Sequence, residues 1–337
     1  MGTDDYDCEW EKEVGEFEKT KAGVKGLVDS GIKKVPRFFI NTSDKLPNGN
    51  YTKDGLKVEI PVIDFQGIID EIRRASETWG FFQMVNHGVP MCVLDAILEI
   101  TQRFHEQPTE AKMELYSSDS WCNVRFYTLY GHLSKPDVAN WRDAFSCRFV
   151  DDVVDPGVIP PVCRDEIIEY TKNMINMRNV LSELFSEALG LSPDFLEKIQ
   201  CMKGEYLSCL YYPPCPEPDL TFGTVKRNDP TILTILGQDR SGGLQAHHNN
   251  WVDVPPIPGA LLADIGDLLQ LITNDKFKSV EHRVLARSTG TQVSVACFFY
   301  PSTQQMVKAY GPIKELLSED NPALYREVNY IEFVPHY

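Results

Sequence analysis

No long hydrophobic run occurs in this chain. Over 337 residues, no apolar stretch approaches the roughly 18 residues that a membrane-spanning helix needs. Positive charge is also scarce: 33 Lys and Arg face 49 Asp and Glu, for a formal net charge of −16. That balance speaks against a phosphate-backbone partner or docking on an anionic membrane. Paired cysteine motifs are missing. Nine cysteines are scattered with no Cys-x-x-Cys pair and no short-spaced Cys/His cluster, a pattern of reduced thiols. The segment from Met1 to Lys21 is acidic and polar and holds no apolar signal-peptide core. These absences predict a cytoplasmic protein whose partner is a small molecule, with no nucleic acid and no membrane. Internal repeats and low-complexity tracts are lacking as well.

What is present is core-forming sequence, 42% of it hydrophobic. Residues 1–22 read as helical or frayed, and Lys45 to Gly55 as a loop. Val58 to Asp64 and Phe81 to Asn86 read as short strands around a helix over Glu71–Trp79. Met91 to Glu106 and Arg164 to Leu189 carry apolar residues at helical spacing. From Leu207 onward the period changes. Strands are expected at Leu207–Tyr212, Thr231–Leu236, Leu244–Gln245, Trp251–Val254, Ala260–Ile265, Leu268–Thr273, Val280–Val284 and Gln292–Phe299, separated by Gly, Pro and Asn. That succession predicts an all-β jelly-roll core with helices packed outside, an α+β fold. Three regions are expected: an N-terminal helical and strand region over 1–200, the jelly roll over 201–302, and a C-terminal helix and tail over 303–337.

Several segments carry a family resemblance almost letter for letter. They are Gly23 to Asp29, Trp79 to Gly88, Asn140-Trp141-Arg142-Asp143, Tyr211 to Pro216 and Gly266 to Asp275. From about Gly23 to Pro335 the chain resembles plant 2-oxoglutarate- and iron(II)-dependent dioxygenases. Within them it is most similar to the deacetoxyvindoline 4-hydroxylase-like branch, also described as 1-aminocyclopropane-1-carboxylate oxidase homologues. The resemblance implies a double-stranded β-helix, a monomer, a role in plant specialised metabolism and a facial triad of two histidines and one carboxylate. It maps that triad onto positions 227, 229 and 282. Position 229 is Asp and position 282 is His, but position 227 is Arg.

A guanidinium is charged at any physiological pH and has no lone pair to donate. About 4 Å from a divalent ion, at an effective dielectric near 20, it would repel the ion by roughly 8 kcal/mol. Asn228, His247 and His248 are the sequence candidates for restoring a ligand. The resemblance also implies an Arg-x-Ser pair for the remote carboxylate of 2-oxoglutarate, and here Gln292-Val293-Ser294 stands in its place. Leu210 replaces a polar residue ahead of Tyr211-Tyr212. Three departures on functional positions, with the scaffold kept, predict that no metal is bound and that neither Fe(II) nor 2-oxoglutarate is a cofactor. If iron were retained, Asp229 and His282 would hold it.

The expectation is therefore a cyclase, isomerase, lyase or condensing enzyme that needs no cofactor. Arg227 would pair with Asp229 and stabilise a developing anion, while His282, Asp229 or Tyr212 moves protons. Phe126, Tyr127, Tyr130, His132, Phe298 and Tyr300, with Gln292 and Ser294, are the candidate substrate contacts, suited to an apolar or polycyclic guest. Asn86, His87 and Trp141-Arg142-Asp143 read as structural, the last tying the helical layer to the barrel. Two alternatives stay open. One is an oxygenase (hydroxylase, demethylase or desaturase) with 2-oxoglutarate held by Lys226 or Arg287; the other is a non-catalytic small-molecule-binding paralogue. Related chains continue past the final His-Tyr, whereas this one stops at Pro335-His336-Tyr337, so either the chain is trimmed or a more open mouth is expected.

Overall fold

Alternating apolar chemistry in the second half of the chain builds antiparallel sheets, and the first half supplies helices that cover one of them. The computed structural model describes residues 3–42, 59–65, 69–119, 121–129 and 138–334. The loop expected over Lys45–Gly55, the first residue of the strand at Val58, the candidate contacts Tyr130 and His132, and the closing Pro335-His336-Tyr337 lie outside them. Helices α1 (Thr3–Thr20) and α2 (Gly23–Asp29) come first. Strand β1 (Val62–Asp64), helix α3 (Ile69–Thr78) and strand β2 (Phe81–Val85) follow, then α4 (Met91–His105) and α5 (Thr109–Lys112). Strands β3 (Val124–Tyr127) and β4 (Asp143–Val150) precede the long α6 (Arg164–Ala188) and the short α7 (Phe195–Lys198).

The β-rich half begins with β5 (Gly204–Tyr212), β6 (Phe222–Arg227) and β7 (Leu233–Gln238). It continues through β8 (Leu244–His248), β9 (Asn250–Asp253), β10 (Leu261–Ile265), α8 (Asp267–Ile272), β11 (His282–Leu285) and β12 (Gln292–Tyr300). A small ladder of β13 (Ala309–Tyr310) with β14 (Val328–Asn329) leads into α9 (Tyr330–Phe333).

The larger sheet runs β1-β2-β10-β7-β12-β5-β4-β3, and the smaller one β6-β11-β8-β9. Their facing sides share an apolar layer that includes Phe81, Leu210, Tyr212, Leu244, Leu262 and Val284. This is the jelly roll, and its interior holds the site. On its other side the large sheet packs against α3, α4 and α6 through Phe82, Phe104, Phe145, Met174, Leu181 and Phe185. Because successive side chains of a strand alternate faces, Leu210 and Tyr212 of β5 and Ser294, Ala296 and Phe298 of β12 face the barrel, while Leu207, Cys209, Val295, Cys297 and Phe299 face the helices.

One expected strand is a helix. In place of the strand expected over Leu268–Thr273, α8 occupies Asp267–Ile272. Leu268, Leu269, Leu271 and Ile272 are all buried, so no alternation marks the segment. Leu and Gln are good helix formers, and Gly266 lets the chain turn against Thr231, whose carbonyl oxygen would lie 2.0 Å from any added Cβ. Strands β3, β4 and β6 had no counterpart in the sequence reading. Six of the eight β4 residues are buried, on both faces, which erases the period-2 signal.

Candidate metal and substrate site

Strand β6 ends at Arg227, whose backbone partner across the small sheet is His282, the first residue of β11. The chain then bends through Asn228 and Asp229. The Asp229 carbonyl accepts the Asp267 N–H at 2.8 Å, and its carboxylate Oδ2 accepts the Thr234 hydroxyl at 2.6 Å. Arg227 Nη2 lies 3.0 Å from Asp229 Oδ1, so the ion pair expected from their spacing is formed. His282 Nε2 lies 3.8 Å from that same oxygen.

A fourth residue completes the cluster, and the sequence reading missed it. Asp264 on β10 pairs with Thr234 on β7 and with Phe81 on β2, which sets it beside the Asp229 carboxylate. Its Oδ2 is 3.3 Å from His282 Nδ1. One donor atom each from Asp229, Asp264 and His282 falls within 4.8 Å of the others. Asp264 Oδ1 and His282 Nδ1 are buried without a hydrogen-bond partner, an uncommon state for polar atoms in a core. No spacing rule links Asp264 to the Arg227-x-Asp229 segment. Only the strand order β10-β7, with Thr234 between, brings the two carboxyls together.

The electrostatics follow from crowding. Burial pushes the Asp264 carboxyl well above the usual carboxylate range, and the neighbouring Asp229 and Asp267 push it further. Burial works the same way on Asp229, but the Arg227 and His282 fields and the Thr234 hydrogen bond outweigh it and hold Asp229 below its ordinary value. Burial lowers His282, and the Arg227 and Arg142 charges add to that against the opposing pull of Asp229. Two acids and one neutral imidazole, buried with spare lone pairs, form a donor set that fits a divalent cation.

These groups line a cleft that opens to solvent. Tyr212, Ser294 and Phe298 line it with Arg227, Asp229 and His282, among apolar walls that include Phe81, Leu236, Leu244 and Leu262. Tyr212 Oη lies 3.2 Å from Thr224 Oγ1. Other candidates fall elsewhere. Phe126 lies on the helix-facing side of its strand, 6.2 Å from the Phe104 ring. Tyr127 faces the barrel beneath the Arg125 guanidinium, 4.0 Å from its ring centroid, and its hydroxyl is 3.3 Å from that of Tyr206. Tyr300 stacks on Tyr330 at 5.5 Å. Gln292 is buried beside Gly243 and outside the cleft lining.

Asn86 and His87 are structural as expected, bonded to Asp64 and to the Gly259 carbonyl at 2.8 Å each. Trp141 and Asp143 tie the helical layer to the barrel, but Arg142 between them lines the cleft.

Matches to known proteins agree with this architecture. Residues 199–301 match the 2OG-Fe(II) oxygenase superfamily model, and residues 60–160 match the N-terminal model of non-haem dioxygenases in morphine synthesis. The chain belongs to the 2OG-Fe(II) oxygenase superfamily. Within it, the chain is 47% identical to 1-aminocyclopropane-1-carboxylate oxidase homolog 12 of Arabidopsis thaliana, over 94% of this chain and 90% of that one. It is 46% identical to deacetoxyvindoline 4-hydroxylase of Catharanthus roseus, over 96% of this chain and 84% of that one. The crystal structure of JOX2 in complex with 2OG, Fe and JA superposes with a TM-score of 0.82 at 30% identity, covering 93% of this chain and 92% of that one.

The expectation of no cofactor is thereby corrected. Its membership of an iron- and 2-oxoglutarate-dependent family, a similar structure holding both groups, and the third donor at Asp264 all stand against it. Asp264, on β10, has no spacing relation to Arg227, Asp229 or His282 that would mark it as a ligand in the sequence. The sequence candidates for restoring a ligand are engaged elsewhere. Asn228 Nδ2 donates to Asp267 and Ser279 at 3.1 Å each, His248 stacks on Trp79 at 4.1 Å, and His247 meets Trp251 edge-on at 5.0 Å.

Proposed function

We propose that this chain is an Fe(II)- and 2-oxoglutarate-dependent oxidoreductase acting on a small, largely apolar molecule, with Asp229, Asp264 and His282 holding the metal. The observation that carries the reading is the buried Asp264 carboxyl, its Oδ1 without a hydrogen-bond partner, beside Asp229 and His282. A carboxylate in the ligand shell lies closer to the ion than the Arg227 guanidinium can. Its attraction is therefore of the same order as, or larger than, the roughly 8 kcal/mol repulsion of a cation about 4 Å away. When bound, the iron with 2-oxoglutarate would supply the oxidising power for an O2-dependent reaction on the substrate.

The chain's own residues supply the rest. Thr234 orients Asp229 through its 2.6 Å hydrogen bond. Arg227, 3.0 Å from Asp229 Oδ1, would stay paired with that carboxylate and offset part of its charge beside the ion. The Phe81, Leu236, Leu262 and Phe298 walls exclude water and select an apolar guest. A cyclase or isomerase that needs no cofactor draws no support from the relatives, which are named as oxidase homologues and a hydroxylase.

The test is succinate release. With Fe(II), 2-oxoglutarate, O2 and a panel of apolar metabolites, wild-type protein should form succinate, and Asp264→Asn should form less than about one tenth as much. Metal binding without succinate from any substrate would instead mark a binding paralogue.

A further inference from the structure

Two guanidinium groups, Arg142 and Arg227, stand among the described residues that line the cleft. Arg227 is committed to Asp229, whereas among the described residues no carboxylate is paired with Arg142. Its position is fixed from both sides. Asn140 Oδ1 accepts the Val225 N–H at 2.8 Å, and the Trp141 N–H donates to the Phe222 carbonyl at 2.9 Å. Asp143 accepts the Val24 and Lys25 N–H groups at 2.8 Å each and the Thr128 hydroxyl at 2.6 Å.

The register gives this placement meaning. Asp143 pairs with Tyr211, so Arg142 enters the row of Tyr212, and Tyr212 pairs with Gln292. Arg142, Tyr212 and Gln292 thus lie on one cross-strand row, with neighbouring strands about 4.8 Å apart. Gln292 brings no charge to that row. Lys226 points outward from β6, and Arg287 donates to the Ser241 carbonyl at the exposed edge, so neither lines the cleft. The cation that a carboxylate needs is therefore at Arg142, two strands from Gln292, and it lines the cleft together with Tyr212 and Ser294.

We infer that Arg142 is the carboxylate anchor of this cleft, holding an acid group of a ligand whose body lies against the apolar walls. The inference deepens the oxygenase reading and rests on it for which acid is held. Two acids share the chemistry: the remote carboxylate of 2-oxoglutarate, and the carboxylate of an apolar substrate.

The test is calorimetric binding of 2-oxoglutarate and of phenylacetate to the full chain, each with and without Mn(II). Arg142→Gln should weaken binding about 10- to 100-fold, the loss of one charge-assisted interaction. Arg142→Lys should retain part of the affinity. Adding Gln292→Arg to Arg142→Gln should restore 2-oxoglutarate binding, which also shows that the cleft survives the first change. An effect on 2-oxoglutarate alone assigns the anchor to the co-substrate, and an effect on phenylacetate alone assigns it to the primary substrate. Unchanged binding of both probes, or no binding of either by the wild-type chain, overturns the inference. A separate Mn(II) titration tests the metal site, so its failure would be visible on its own while the metal-free arms still decide Arg142.

Discussion

At the scale of single residues, the site turns on the contest between Arg227 and Asp264 for Asp229. The guanidinium neutralises Asp229 across 3.0 Å, while Asp264 sits on the other side with an unpartnered oxygen. Removing the cation and adding a lone pair in one change should shift the balance. Arg227→His is expected to tighten Mn(II) or Fe(II) binding at least about 10-fold, since both the repulsion and a missing ligand are corrected. Calorimetric titration checks this, and unaltered affinity would mean that Arg227 already lies clear of the ion. Part of this chemistry was legible in the sequence: the Arg227–Asp229 pair and the cleft positions of His282, Tyr212, Ser294 and Phe298 follow from strand spacing and family resemblance. Asp264 and Arg142 were not, because each joins the site through strand order rather than through proximity in the chain.

At the scale of elements, two features of the large sheet give measurable consequences. Gly80 turns the chain from α3 into β2 at φ +66°, and an added Cβ would stand 1.9 Å from the Lys278 carbonyl oxygen. Gly80→Ala is expected to cost about 2 kcal/mol or more, read as a clear fall in thermal midpoint. Strand β5 carries Glu205 on its helix-facing side, where burial pushes the carboxyl up to about 8 against the opposing Cys297 hydrogen bond and Arg178 charge. The folded pKa exceeds the unfolded value, so the unfolded chain ionises first. Stability then falls as pH rises between about 4.5 and 8, by at most about 1.4 kcal/mol per unit. Glu205→Gln should flatten that decline and raise the midpoint at pH 8, and parallel pH profiles for the two proteins would contradict it. The same scale shows where periodicity works. Amphipathic α4 and α6 were legible to within a residue or two, whereas α8 and β4, each largely buried, carried no alternation to read.

At the scale of the whole molecule, the jelly roll is a frame in which four strands of the small sheet face eight of the large one. The proposed ligands come from both: His282 from the small sheet, Asp264 from the large, and Asp229 from the bend after β6. A metal bound by all three would clamp the sheets together and stabilise the native state by mass action. Mn(II) at 100 times its dissociation constant is expected to add about 2.7 kcal/mol. EDTA should reverse the accompanying rise in midpoint. Among the described residues no helix is long and apolar enough to cross a membrane.

The central claim is that Asp264 completes a metal site with Asp229 and His282. The most direct measurement is an anaerobic calorimetric titration of the wild-type chain and Asp264→Asn with Fe(II). Saturable one-to-one binding by the wild type, weakened at least about 10-fold by Asp264→Asn, is the predicted result. No saturable binding, or binding indifferent to that substitution, would contradict it.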